Sequence, residues 1–322
     1  MGLVNMWSED FESQIGFLGE LGMIDLIQEF LREVNPRYPE GIGDDCAVVD
    51  FSGNKNLAVL TTDSVLLGRH FFEDSDPYRV GRKLVNRNLS DVASMGGVPS
   101  TALLNLIVSP QLSKQWMIRF IEGVYKAASD VNLKIVGGDL CRGEDRQFIG
   151  NMSLVGFAEN PVLRKGAVVG DSLYVTGKLG GSILAKHLDF KPRLEEGLWL
   201  SKQKEVRSML DITDGFAKDI NSLLTREIGV SINLEVFPIS EDCFLLAQES
   251  KKSVLEHALT DGEDYELLFI LSKDADGIAF HQKWGRIFDL ELTKIGVLVK
   301  QSGIQDALTG KTIEGFSGYE HF

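Results

Sequence analysis

Seven aspartates share one setting, and it is not where surface charge is normally put. Asp44 and Asp45 sit side by side in EGIGDDCAVVDF, just past a glycine turn and just before an apolar run. Asp63 ends LAVLTTD, Asp91 lies in NLSDVASMGG, and Asp139 ends KIVGGD. Asp211 and Asp214 bracket a strand-to-helix turn in DITDG. Strand ends and helix starts are where α/β folds usually place ligand sites. Two carboxylates about 4 Å apart repel by about 4 kcal/mol at an effective dielectric of about 20, so a converging group needs a counter-ion. A lysine, a proton or a metal could supply it. The nearest segments offer almost no lysine, and a divalent cation with oxygen ligands compensates better. Magnesium favours a few carboxylates completed by water and substrate phosphates. Taken singly, each aspartate also reads as a turn former or helix cap, Asp214 beside Gly215 included. The joint pattern carries the signal.

The elements that must position these residues follow from periodicity. GMIDLIQEFLREV (22–34) has the apolar stripe of a helix. CAVVDF (46–51) and LAVLTTD (57–63) read as strands joined by a turn at SGNKN. Asp76-Pro77 gives an N-cap with proline at the first helical position, opening a helix to about Met95 that Gly96-Gly97 closes. TALLNLIV is a strand, and Ser113 caps a helix to about Val131. KIVGGD and FIGNMSLVGFA are two more strands. After Asn160-Pro161 the pattern begins again. DSLYVTG reads as a strand, GGSILAKHL as a short helix, and SMLDITDGFAKDINSLL as a strand turning into a helix. SINLEVF, YELLFIL and LTKIGVLV are further strands. The expectation is two α+β domains, 1–160 and 161–322, rather than one doubly wound sheet.

Composition narrows the partners. A formal net charge of −14 argues against nucleic acid or an anionic membrane, which both favour lysine and arginine. No apolar run approaches the roughly 20 residues that span a bilayer, and MGLVNMWSEDFES does not read as a signal peptide. Cys46, Cys141 and Cys243 form no CxxC pair or zinc spacing, which fits reduced thiols in a cytoplasm. The familiar phosphate loops are absent. GKT at 310–312 has Gln305 where a Walker glycine belongs, and GIGDDC has Cys46 at the third glycine position of GxGxxG. Gly137-Gly138 and Gly180-Gly181 still allow close backbone approach to a phosphate.

GIGDDCAVV, TTDSVLLGRHF, NLSDVASMGGVP, IVGGD, RKGAVVGDSLYVTGKLG, LDITDGFAKDI, DGEDYELLF and GYEHF occur in that order. Together they resemble the thiamine-monophosphate kinase family, from about Leu18 to Phe322. That family belongs to a superfamily with aminoimidazole-ribonucleotide synthetase, selenophosphate synthetase and a hydrogenase-maturation protein. The resemblance implies an aminoimidazole-ribonucleotide synthetase-like α+β fold of two domains. In it an N-terminal ATP- and magnesium-binding domain joins its sheet into a barrel across a homodimer, and a C-terminal α/β domain completes the site. It implies transfer of the ATP γ-phosphoryl group to thiamine monophosphate. By matching motif positions, Asp45, Thr61, Thr62, Asp63, Asp91, Asp139, Asp211 and Asp214 hold several Mg²⁺ ions, with Asp91, Asp211 and Asp214 the catalytic carboxylates. Gly138, Asp139, Arg164 and Thr213 contact ATP, and His70, Glu263 and Tyr319 line the substrate site. Thr213 stands where the family usually has serine, Thr260-Asp261 replaces a small pair, and the stretch from Gly181 to Asp211 is shortened.

The residue chemistry fits these roles. An acceptor that is itself a phosphate already carries an anionic oxygen, so the barrier is the approach of two polyanions rather than a proton transfer. Asp45 is then expected to be neutralised by Mg²⁺ and Asp44 by turn amides. Arg164 offers a phosphate fork, Tyr319 an aromatic face, and Glu263 a partner for a cationic or amino group. A lone His70 without the resemblance reads as structural. His187, His257, His281 and His321 carry no assignment. The other readings are another ATP-dependent synthetase or dehydratase-like member of the superfamily, of which one acting on selenide would be expected to carry a reactive N-terminal cysteine that residues 1–45 do not contain, and a non-catalytic nucleotide- or metal-binding relative.

Overall fold

The computed structural model describes residues 10, 12, 14–31, 38, 40–51, 56–313, 316, 318 and 319. The expected turn at SGNKN falls largely outside them. In chain order the main elements are α1 (Ile15–Leu31), β1 (Ala47–Val49), β2 (Leu57–Leu66), α2 (Pro77–Ser94), β3 (Val98–Val108), α3 (Lys114–Asp130), β4 (Lys134–Arg142) and β5 (Phe148–Ala158). They continue with β6 (Ser172–Thr176), α4 (Lys186–Asp189), α5 (Leu194–Leu200), β7 (Val206–Asp211), α6 (Phe216–Asp219) and β8 (Gly229–Ile232). The last are α7 (Glu241–Glu249), α8 (Val254–Thr260), β9 (Leu267–Leu271), α9 (Gly277–Gly285), β10 (Leu292–Val299) and β11 (Ile304–Asp306). Among the described residues no helix is long and apolar enough to cross a membrane.

Two sheets form. The first has the order β1-β2-β5-β3-β4 and the second β11-β8-β10-β6-β9-β7. Among the described residues only β3–β4 and β11–β8 pair as parallel strands, so the architecture is α+β. One face of the first sheet packs Val59, Val65, Met152, Leu154 and Ala102 against Leu84, Val92, Phe120 and Val124 of α2 and α3. Its other face and edge expose Leu103, Ile107, Phe157, Val136 and Leu140. The second sheet is covered on both faces. Leu268 and Ile270 join Phe216 and Leu259, while Phe269 and Leu271 join Phe280 and Trp284. A strand buried on both faces reads as a continuous apolar run, as Leu267–Leu271 does. The first sheet is open in a single chain, with β1 and β4 as its edges. The barrel implied by the resemblance would need a second copy.

Helix α2 positions the site. Asp76 accepts from the Tyr78 N–H at 3.0 Å and Pro77 occupies the first turn, as the sequence predicts. Its Gly81 and the Gly123 of α3 let the two backbones meet. A Cβ on either would stand about 2 Å from a facing carbonyl oxygen, that of Phe120 or Tyr78. The helix therefore lies deep, against β2 and β5 on one side and α4, α5 and β7 on the other.

Several expected elements differ. Helix α1 begins at Ile15 rather than Gly22, and the helix expected after DITDG is the four-residue α6 followed by a 3₁₀ turn at Ile220–Ser222. SINLEVF is a strand only to Ile232, because Asn233 then caps a 3₁₀ turn, accepting from the Glu235 N–H at 3.0 Å. GGSILAKHL breaks into a 3₁₀ turn and α4 after Gly180 and Gly181, both at positive φ. Helices α5, α7, α8 and α9 and strand β11 are additional to the sequence expectation.

Candidate active site

One face of α2 carries Lys83, Arg87, Ser90 and Asp91, spaced so that they form a single polar stripe on a mostly buried helix. Each joins a different element. Asp91 accepts a very short hydrogen bond from the Thr61 hydroxyl of β2. Arg87 grips Asp63 bidentately, Nη2 to Oδ1 at 3.1 Å and Nε to Oδ2 at 3.2 Å. Ser90 donates to Asp211 Oδ2 at 2.5 Å, linking α2 to the end of β7. Asp45 enters from the loop before β1 and pairs with Arg164, which donates to Oδ1 through both Nε and Nη2.

Asp45, Asp63, Asp91 and Asp211 sit within electrostatic reach of one another. Burial raises Asp91 well above the usual carboxylate range, and Asp63, Asp211 and Asp45 push it further. Asp211 is raised by burial and by Asp45, with Ser90 and Arg164 opposing. The second oxygen of Asp45 is buried and, among the described residues, has no hydrogen-bond partner, although the side chain is only 2% exposed. A native interior rarely leaves such an atom unpaired. Four carboxylates against two guanidiniums leave the cluster short of positive charge. All-oxygen donors, an orphaned buried oxygen and two carboxyls driven towards protonation fit a hard divalent cation. Among the described residues no three His, Cys, Asp or Glu side chains are already drawn into a metal-ligating group.

Beside the cluster opens a cleft of about 470 Å³ whose walls include Asp63, Arg87, Asp91, His70, Glu263 and Tyr319, with Thr213 and Asp214 at its edge. Lys83 lies beneath it, fully buried. Its ammonium donates to the His70 carbonyl at 2.7 Å and pairs with Glu263 Oε1 at 2.6 Å. Burial pushes Lys83 down to about 8, with Glu263 opposing the fall. Tyr265 donates to the same Glu263 oxygen at 3.2 Å while its ring stacks on Phe190. Glu263 and Tyr265 both adopt positive φ, near 50°, a conformation that side chains bear only when their surroundings enforce it. The His70 ring accepts the Leu66 N–H on Nδ1 at 3.0 Å, so the neutral ring carries its proton on Nε2. Asp214 pairs with Lys218 at 2.9 Å, and Lys218 also holds Glu20 of α1 and the Tyr319 carbonyl. Asp219 accepts the Thr213 and Asp214 amides at 2.8 and 2.9 Å, fixing the turn at the start of α6.

Residues 43–158 match the family model of AIR synthase related protein, N-terminal domain. The thiamine-monophosphate kinase of Rhodopirellula baltica is 36% identical over 277 residues, spanning 84% of this chain and 86% of that protein. The thiamine-monophosphate kinase of Aquifex aeolicus is 33% identical over 328 residues, spanning 95% and 98%. This chain belongs to the thiamine-monophosphate kinase family. A solved structure of that family, AaThiL complexed with AMPPCP and TMP, has a TM-score of 0.83 at 31% identity, covering 97% of this chain and all of that one. E. coli HypE, a hydrogenase maturation protein, shares the fold with a TM-score of 0.66 at 18% identity.

Set against the family motifs, the structure brings Asp45, Thr61, Asp63, Asp91 and Asp211 together, with Thr213 and Asp214 along the cleft. It does not bring Thr62 or Asp139 to them. Successive strand residues face opposite sides of a sheet. Thr61 and Asp63 point to α2, so Thr62 points away, and its hydroxyl meets Met152 O and Ser153 Oγ at 3.1 Å. Asp139 is in register with Asn105, which pairs with Asn151, itself opposite Ser64, on that same far face. Gly138 at φ 152° and Asp139 both lie on the exposed edge strand β4, where the Cys141 thiol donates to Asp139 at 3.0 Å. Arg164 holds Asp45, and Asp44 accepts the Asp45 and Arg164 amides at 3.0 Å besides the Tyr38 hydroxyl. The Asp44 amides match expectation, whereas Asp45 already has a guanidinium partner.

Sequence reasoning missed Lys83, Arg87, Ser90 and Tyr265. The first three were findable, because with Asp91 they repeat at helical spacing in a helix whose caps were already clear.

Proposed function

We propose that this chain transfers the γ-phosphoryl group of ATP to thiamine monophosphate, giving thiamine diphosphate. The observation that carries this is the buried, under-compensated carboxylate cluster at the wall of the Lys83–Glu263 cleft, in a chain of this family. AaThiL, bound to AMPPCP and TMP, supports pairing a nucleotide with this acceptor.

Asp45, Asp63, Asp91 and Asp211, with the Thr61 hydroxyl, are the residues that would hold Mg²⁺, and Asp214 is the next candidate. Magnesium bound there would screen the two polyanions and neutralise charge in the transition state. The chain's own groups bind and orient. Arg164, partly exposed, has the fork that suits a nucleotide phosphate once its tie to Asp45 is shared. Glu263, anchored by Lys83 and Tyr265, presents a carboxylate to a cationic substrate ring. His70 can donate through Nε2 but cannot accept a proton there, which suits an acceptor needing no base. Tyr319, 39% exposed, is placed to cover an aromatic ring.

On this reading residues 1–160 form the nucleotide, metal and dimerisation unit and residues 161–322 complete the site. All nine residues of β4 are exposed at the sheet edge, which supports a homodimer closing the first sheet into a barrel along that strand. Gly138, Asp139 and Thr62 would then act at or near the seam, and several ions rather than one would serve the pair. Three free cysteines support a cytoplasmic setting.

The test is incubation with ATP, Mg²⁺ and thiamine monophosphate, followed by chromatography for thiamine diphosphate. Product is expected. ATP binding without product would replace this reading with that of a non-catalytic nucleotide-binding relative.

A further inference from the structure

Arg87 is an unusual neighbour for a carboxylate that is to hold a metal. Both oxygens of Asp63 are engaged by its fork, at 3.1 and 3.2 Å. Its side chain is only 12% exposed, and Nη1 is buried without a hydrogen-bond partner among the described residues. A guanidinium does not deprotonate in proteins, so the charge is permanent. Glu263 and Tyr265 also act electrostatically on the guanidinium. Arg164 plays the corresponding part at Asp45, but its side chain is 29% exposed and is freer to leave.

We infer that Arg87 is a resident counter-ion that competes with the divalent cation for Asp63, so that the nucleotide-free protein binds magnesium weakly and takes it up together with the nucleotide. The inference rests on reading the cluster as a divalent-cation site. A metal approaching Asp63 meets one of two penalties. Either Arg87 stays and repels it, or the ion pair opens and strands a buried guanidinium. Nucleotide phosphates remove both, because they bring negative charge that the cation and Arg87 can share. Arg87 in this way orders the loading of the site without touching the reacting atoms.

The experiment is calorimetric titration of the full chain with MgCl₂, with and without AMPPCP, paired with melting curves at each magnesium level. Arg87→Met should bind Mg²⁺ alone on the order of tenfold or more tightly than the parent, since one positive charge beside the ion is gone. Its metal-free melting temperature should fall and recover with magnesium. AMPPCP should strengthen magnesium binding far less in the variant than in the parent. In an Asp63→Asn background the Arg87→Met change should no longer tighten magnesium. If Arg87→Met does not fold, Arg87→Lys, which keeps the charge but loses the fork, should show a smaller tightening of the same sign. Unchanged or weaker magnesium affinity in the folded variants, or equal tightening in the Asp63→Asn background, would overturn the inference while leaving the kinase reading intact. No magnesium binding by the parent even with AMPPCP would overturn both.

Discussion

Two buried acidic sites in this chain are built on opposite principles. Glu266, 1% exposed, is fully compensated. It receives Arg193 through two nitrogens at 2.6 and 2.8 Å, Lys186 at 2.7 Å and the Thr176 hydroxyl at 2.7 Å. Those contacts tie α4 and α5 to β9 and ask nothing further of solvent or ligand. Asp45, Asp63, Asp91 and Asp211 share two arginines and leave one buried oxygen unpaired. A carboxylate with every lone pair met is structural. A group held in place with charge left over is receptive to a cation. The chain pays for that receptiveness in stability until a ligand arrives.

Four substitutions break or sharpen the contrast. Asp91→Asn should cost the largest effect, a fall in turnover of about 10³-fold, or ~4 kcal/mol of transition-state stabilisation. The same variant should melt no lower than the parent without metal, since it removes a repelled charge. Wild-type turnover would remove Asp91 from the site. Glu266→Gln should do the reverse, lowering unfolding free energy in urea by ~3–5 kcal/mol because two cations lose their partner. A drop below about 1 kcal/mol would show that the tie is not structural.

Lys83→Met should raise KM for thiamine monophosphate about tenfold, ~1.4 kcal/mol, with a smaller change in kcat, because Glu263 loses its anchor. In the parent KM should climb as pH passes about 8, where the Lys83 ammonium deprotonates, and that climb should vanish in the variant. The charged lysine is disfavoured by folding, so its burial lowers stability below pH 8 and is relieved as pH rises above it. The smallest effect is at Asp264, a fully buried carboxyl outside the cluster that burial pushes up to about 7, with Lys186 and the Gly180 amide opposing. The folded state binds its proton more tightly than the unfolded chain. The associated stability is full below the ordinary carboxylate range and is lost as pH rises through about 7. Asp264→Asn should therefore flatten the fall in melting temperature between about pH 4 and 7. An unchanged slope would assign that fall to other groups.

Much of this arrangement was legible without coordinates. Asp76-Pro77 and Gly96-Gly97 bounded α2, apolar β-rich runs marked the first-sheet strands, and the glycine-flanked aspartates announced a need for counter-ions. The arginine partners were not legible, because Arg87 and Arg164 lie far in sequence from Asp63 and Asp45 and come together only through folding. The face of β2 was equally hidden. TTD reads as three adjacent donors, yet the pleat sends Thr61 and Asp63 to α2 and Thr62 to the opposite side. The sequence by itself determined which residue types this protein would use and where the capped helices α2 and α3 would begin, since these depend on local pattern and capping. Tertiary structure alone decided which carboxylates meet, which cation answers each, and that Lys83 would join His70 to Glu263, because those outcomes depend on distance and burial between segments that no local rule connects.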